Sequence, residues 1–184
     1  KVTGRHELIA AHNAYHGNTL GSLSLMDFEV RKAPFRPLLP GIHHIPFNDE
    51  KALERINGRT AAVILETIQG GAGFLLPQAG YLKKVRDRCR NTGSLLILDE
   101  IQPGFGRTGA LFAFEHYNCI PDILVMGKGM AGGLPIGAFT ASKAHMSTLQ
   151  EHPKQGHITT FVGNPVIASA ALATLRELVN STLI

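Results

Sequence analysis

The chain has 184 residues, 44% of them hydrophobic and 17% charged, with a formal net charge of +4. That balance suits one folded domain with a sizeable core and excludes a disordered chain. The basic residues are scattered, so there is no nucleic-acid stripe, and no apolar run approaches the roughly 20 residues that span a bilayer. The opening KVTGRHELIAAH has no signal-peptide core, which leads to the expectation of a cytoplasmic protein. Cys89 and Cys119 form no CxxC pair and read as buried small hydrophobes. The absence of an initial Met and the stop at STLI lead to the expectation of a part of a longer protein.

In chain order, HELIAAH (residues 6–12) reads as a strand leading through Asn13 to Gly17. The Pro-rich RKAPFRPLLPG (residues 31–41) reads as a loop. TAAVILE (residues 60–66), a continuous run of small and β-branched residues closed by QGGAG, predicts a strand buried on both faces. From Gln78 to Asn91 the apolar positions Tyr81, Leu82, Val85 and Cys89 recur at helical spacing, and Gly93 ends that helix. SLLILDE (residues 94–100) and DILVMGK (residues 122–128) predict two further buried strands, PIGAFTAS (residues 135–142) a fourth element of the same kind, and NPVIASAALATLRELV (residues 164–179) a long helix with Pro165 in its first turn. Strands alternating with helices give an α/β domain with a mostly parallel sheet flanked by helices.

The three buried strands end in Glu66, in Asp99 with Glu100, and in Lys128. In a parallel sheet these groups converge on one edge, where ligands collect. A lysine at the end of an apolar strand is expected to be partly buried, which favours a nucleophilic amine and Schiff-base chemistry. Gly127 and Gly129 would let a flat ring approach the backbone. Three other motifs compete. GFGRTG (residues 104–109) fits the GxGxxG pattern of a nicotinamide-nucleotide-binding oxidoreductase, but DEIQP (residues 99–103) intervenes between the apolar run and its first glycine, and nearby carboxylates would repel a diphosphate. HNAYH (residues 12–16) spaces two histidines for a metal, yet Asn13 stands where a zinc protease needs Glu; no metal is expected. Lys128 lacks the glycine spacing and the following Ser or Thr of a P-loop.

LLILDEIQPGFGRTG, PDILVMGKGMAGGLPIGA and HITTFVGNPV, following YHGNTLG, resemble in that order the class III aminotransferases that use pyridoxal 5'-phosphate (PLP), among them the acetylornithine, ornithine, 4-aminobutyrate and putrescine enzymes. The resemblance implies the large domain of PLP-dependent transferase fold type I over residues 1–184, with an N-terminal phosphate-loop segment and a C-terminal small domain outside it. It implies that Lys128 holds the cofactor as a Schiff base and shuttles a proton, and that Asp99 pairs with the pyridinium nitrogen. Gln102 is implied at the phenolic oxygen, Ile101 and Tyr15 on the two ring faces, Glu66 orienting the network and Gly17 packing beside Tyr15. Thr160 is implied to reach the phosphate of a neighbouring subunit, hence a homodimer with shared active sites. Arg107 is implied to serve packing or pairing within the GRTG turn. The implied activity transfers a terminal amino group from acetylornithine- or ornithine-type donors to 2-oxoglutarate. Racemisation or mutase chemistry on the same cofactor and a non-catalytic binding module are the other readings.

Three positions depart from the ornithine-type pattern. Asn18 stands where that branch carries an arginine for the substrate's α-carboxylate, and an amide supplies no charge-assisted fork. Gly71 stands in place of a gating glutamate, and Val162 in place of a glycine near Thr160. The first two leave room for a putrescine-type diamine donor, which FRPLLPGIHHIPF and HITTF also resemble.

Overall fold

Runs of apolar residues without polar alternation form the middle of the sheet, but the expected burial on both faces is met on one only: Ile64, Ile97 and Ile123 on the other are half-buried, because that face borders a cavity. A computed structural model describes residues 1–154 and 157–184. Its elements are β1 (Glu7–Ala11), α1 (Leu20–Leu25), α2 (Glu29–Lys32), β2 (Ile42–Ile45), β3 (Thr60–Glu66), α3 (Tyr81–Thr92), β4 (Leu95–Asp99), β5 (Ile123–Gly127), β6 (Gly137–Ala141), α4 (Lys143–Ser147) and α5 (Pro165–Asn180), with short 3-10 turns between them. Six strands lie in one sheet in the order β2-β1-β3-β4-β5-β6. All neighbours run parallel except β6, which is antiparallel to β5.

The sequence reading missed four features. Part of the segment expected as a loop from Arg31 to Gly41 is helical, since α2 ends at Lys32 and a 3-10 turn covers Ala33–Phe35. The strand β2, and the short helices α1 and α4, also lack a sequence signal, because four to six residues are too few to establish a period.

Register divides the sheet into two faces. Leu65, Leu98 and Leu124 lie side by side, as do Val63 and Leu96, and α3 covers this face with Tyr81, Leu82, Val85 and Cys89, all buried in one apolar cluster. Each such large side chain contributes about 1.5–3 kcal/mol. Gly93 ends α3 in the left-handed region at φ 68°, with its N–H donating to Arg90 and Cys89 carbonyls. A Cβ there would stand 3.1 Å from Arg5 Nη2, and Arg5 Nη1 in turn donates to the carbonyls of Thr60 and Thr92. Cys89 and Cys119 are free and buried, and burial pushes their thiols up to about 12 and about 11.

On the opposite face Ile64, Ile97 and Ile123 stand in one row. With Met146 of α4 and Ile167 of α5 they line a cavity of about 920 Å³. The start of α5 is fixed by Asn164, whose side-chain oxygen accepts from the Val166 and Ile167 N–H groups at 3.1 and 3.2 Å. Among the described residues no helix is long and apolar enough to cross a membrane.

Candidate functional site

Parallel pairing brings the carboxyl ends of β3, β4 and β5 together, with Glu66 in register with Asp99. Asp99 is buried. Its Oδ2 lies 2.8 Å from His16 Nδ1, and its Oδ1 accepts the Ile101 N–H at 3.0 Å. The His16 side chain is only 4% exposed, and its Nε2 has no hydrogen-bond partner among the described residues. Glu66 accepts the N–H groups of Tyr15 (2.9 Å) and Gly70 (3.0 Å), so it ties the loops after β1 and β3 to the strand ends. Burial pushes the Glu66 carboxyl above the usual range; the two N–H donors and His16 oppose this, and Asp99 adds to it.

Glu100 points to the other side, as successive strand positions do. Fully buried, it accepts from Thr67 Oγ1 at 2.6 Å and from the Ala113 and Phe114 N–H groups at 3.0 and 2.9 Å. Burial raises its carboxyl too. Its work is to anchor the 3-10 turn Ala113–Tyr117, which leaves Asp99 as the carboxylate facing the cavity.

Lys128 comes directly after β5, in the left-handed region at φ 43°. Its Nζ donates to Gln102 Oε1 at 3.2 Å. The expected partial burial is not found. Lys128 is exposed, because the turn carries it beyond the sheet into an open cleft of about 380 Å³ shared with Gln102, Arg107 and Gly70. The two glycines beside it differ. A Cβ on Gly127 would lie 3.3 Å from the Ile136 carbonyl and 3.5 Å from the Ile101 side chain, so this backbone lies close under Ile101. At Gly129 the space is taken by Arg107 and Phe105, at 3.3 and 3.4 Å, and not left for a ring.

GFGRTG folds as turns, with the Phe105 and Gly106 N–H groups on the Leu111 carbonyl and that of Gly109 on the Gly106 carbonyl. The next element in the chain is the 3-10 turn at Ala113, so no α-helix N-terminus is offered to a diphosphate. His12 and His16 serve different carboxylates, His12 pairing with Asp27 at 2.7 Å. Among the described residues no group of three His, Cys, Asp or Glu is placed to hold a metal.

Of the remaining sequence-derived positions, Ile101 lines the large cavity with Asp99 and His16, and Tyr15, 37% exposed, is held at its N–H by Glu66. Gly17 has φ 120°, and a Cβ there would meet Ser22 at 3.3 Å, so its close packing is against α1 and not beside Tyr15. A Cβ on Gly71 would stand 3.3 Å from Tyr15 Cβ. Asn18 is exposed. Thr160 is also exposed and lines neither cavity, whereas Thr159, Phe161 and Val162 line the large one. The structure thus places Tyr15, Glu66, Asp99, Ile101, Gln102 and Lys128 at or just beyond the carboxyl ends of neighbouring strands, with Asp99 and Ile101 on the large cavity and Gln102 and Lys128 in the smaller cleft, and Thr160 on neither. His16 was overlooked as a partner of Asp99; 83 residues separate them, and no spacing rule pairs positions that only the β1–β3–β4 order makes neighbours.

A family model described as aminotransferase class-III matches residues 1–184. The chain belongs to the class III aminotransferase family. It is 47% identical, over 98% of its length, to the putrescine aminotransferase of Pectobacterium atrosepticum, of which it covers 40%. It is 45% identical, over its whole length, to the acetylornithine aminotransferase of Mycobacterium tuberculosis, of which it covers 46%. A solved structure of the ornithine aminotransferase from Toxoplasma gondii, described as having partial occupancy of PLP at the active site, superposes with a TM-score of 0.90 at 36% identity, over 96% of this chain and 42% of that one. The chain therefore spans less than half the length of these relatives.

Proposed function

We propose that this chain is the cofactor-bearing large domain of a PLP-dependent aminotransferase that moves a terminal amino group from an acetylornithine- or ornithine-type donor to 2-oxoglutarate. The observation that carries the reading is one buried carboxylate, Asp99, and one lysine, Lys128, at the ends of adjacent parallel strands with Ile101 and Gln102 between them in the chain. The residues present fit the cofactor. Asp99 is buried, with one oxygen on His16 and the other on the Ile101 N–H, so its carboxyl is held in one direction toward the cavity, where a cationic ring nitrogen would sit. Gly127 supplies a backbone without a side chain below Ile101.

When bound, PLP supplies an electron sink for the negative charge left on the donor's carbon as a proton is removed. Asp99 would keep the ring nitrogen protonated, and His16 with the Ile101 N–H fixes the carboxylate's direction. Lys128, whose Nζ lies in the cleft with its bond to Gln102, would hold the cofactor, and the same amine would carry the substrate proton. Gln102 donates its amide N–H to the phenolic oxygen. Tyr15 and Ile101 would flank the ring, Glu66 holds the Tyr15 loop, and Gly17 fixes the turn into α1. Thr160, exposed on the loop before α5, extends to a second subunit's phosphate, which makes the working unit a homodimer. A putrescine-type diamine donor is the second reading. Asn18 favours it, since a neutral, exposed amide offers a substrate carboxylate no fork.

Borohydride reduction of the PLP-treated protein, followed by peptide mapping, tests the cofactor role. Label on Lys128 that disappears in Lys128→Ala is the expected result; label spread over surface lysines with none at Lys128 would overturn it. Turnover of putrescine against acetylornithine and ornithine by the enzyme, with 2-oxoglutarate as acceptor, separates the donors.

A further inference from the structure

We propose that Arg107 is a positioning residue that ties the loop after β4 to the turn carrying Lys128 and so sets where the lysine amine sits against Gln102. Its Nη1 donates to the Gln102 carbonyl at 3.0 Å, with longer contacts to the Gly104 (3.4 Å) and Ile101 (3.5 Å) carbonyls. Three carbonyls of one turn thus converge on one cation. Among the described residues no carboxylate lies within ion-pair distance of Arg107. An exposed arginine with no acidic partner ordinarily extends into water; this one is folded back on the backbone.

The same guanidinium reaches the second loop. A Cβ on Gly129 would lie 3.3 Å from Arg107 Nη2 and 3.5 Å from its Cζ, so the backbone next to Lys128 rests against Arg107. Lys128 occupies the left-handed region at φ 43°, which an L residue holds only where its surroundings impose it. Gln102 closes the circuit. Its main-chain oxygen accepts from Arg107 and its side-chain oxygen accepts from Lys128 Nζ, and a Cβ on Gly70 would lie within 2.5 Å of that side-chain oxygen, so the amide is confined from that side. Arg107 therefore acts on Lys128 along two routes, through Gln102 and through Gly129.

The importance of that position rests on the proposed role of Lys128, and the test separates the two. Amide hydrogen exchange is compared for wild type, Arg107→Gln, Arg107→Lys and Gly129→Ala. Arg107→Gln should speed exchange about tenfold in both residues 101–105 and residues 127–132, the size of one lost charge-assisted hydrogen bond, with α3 unchanged. Arg107→Lys should restore the first loop, which needs a cation, but not the second, which needs the planar fork over Gly129. Gly129→Ala, which keeps Arg107, should loosen the second loop. The second readout is the rate at which PLP and borohydride label Lys128 relative to Lys83 in the same chain, expected to fall roughly tenfold or more in Arg107→Gln. Faster exchange confined to residues 101–105, or an unchanged labelling ratio where wild type labels Lys128, overturns the proposal. If wild type itself takes no label on Lys128, the cofactor reading fails, while the exchange pattern still decides the part played by Arg107.

Discussion

Asp99 and Glu100 are adjacent in the chain, and the strand sends them to opposite sides, one to His16 and one to the backbone of the Ala113 turn. The role proposed for Asp99 depends on that division, because its two oxygens are oriented by an imidazole and an N–H while it faces the cavity. Asp99→Asn is expected to lower kcat/KM of the enzyme about 10²–10³-fold, the scale for removing one preorganised charge partner, measured by steady-state kinetics. His16→Gln, whose amide can still donate to Asp99, should retain more activity than His16→Phe; equal losses in the two would show that the hydrogen bond to Asp99 is irrelevant. The residues after the strands were legible from the apolar runs alone. His16 was not, since its meaning depends on which strand lies beside β1.

At the scale of elements, α5 illustrates a helix whose start is written into the chain. Asn164 caps two N–H groups and Pro165 occupies the first helical position, where its missing N–H has no cost. Asn164→Ala is expected to destabilise the protein by about 1 kcal/mol, read from urea denaturation, because both N–H groups lose their acceptor. The same helix end lies next to the segment that carries Thr160, so fraying there would loosen that loop as well. By contrast β2 and the short helices α1 and α4 carry no such signature. They form because β1 and β6 offer them a surface, and tertiary packing outweighs weak local propensity over so few residues.

Across the whole molecule one ion pair joins three elements. Arg86 of α3 makes a two-point contact with Asp122 at the entry to β5, and Asp122 also accepts the Leu96 N–H of β4 at 2.8 Å. Burial pushes the Asp122 carboxyl up, but the hydrogen bonds from Arg86 and Leu96 outweigh it and hold the group below the usual value of 3.8. A carboxyl depressed in the folded state adds stability that is present above the unfolded value and lost as pH falls through the folded one. Asp122→Asn should therefore cost about 1–3 kcal/mol at pH 7, and the wild-type advantage should shrink as the pH is taken below 3.8. Denaturation curves of both proteins at neutral and acid pH check this; a constant difference would contradict it.

The sequence by itself determined the four strands that bear or adjoin chemistry, the helices α3 and α5, and the polar residues that close the strands, because long apolar runs and Gly or Asn-Pro boundaries are local signals. The quoted blocks also pointed to the family that the chain belongs to. Only the tertiary structure decided that β6 turns antiparallel against β5, that Lys128 stands exposed and not half-buried, that Gly129 makes room for Arg107, and that His16 meets Asp99. Each of these depends on groups distant in the chain meeting in space, and strand order and loop packing, which no short-range periodicity encodes, set those distances.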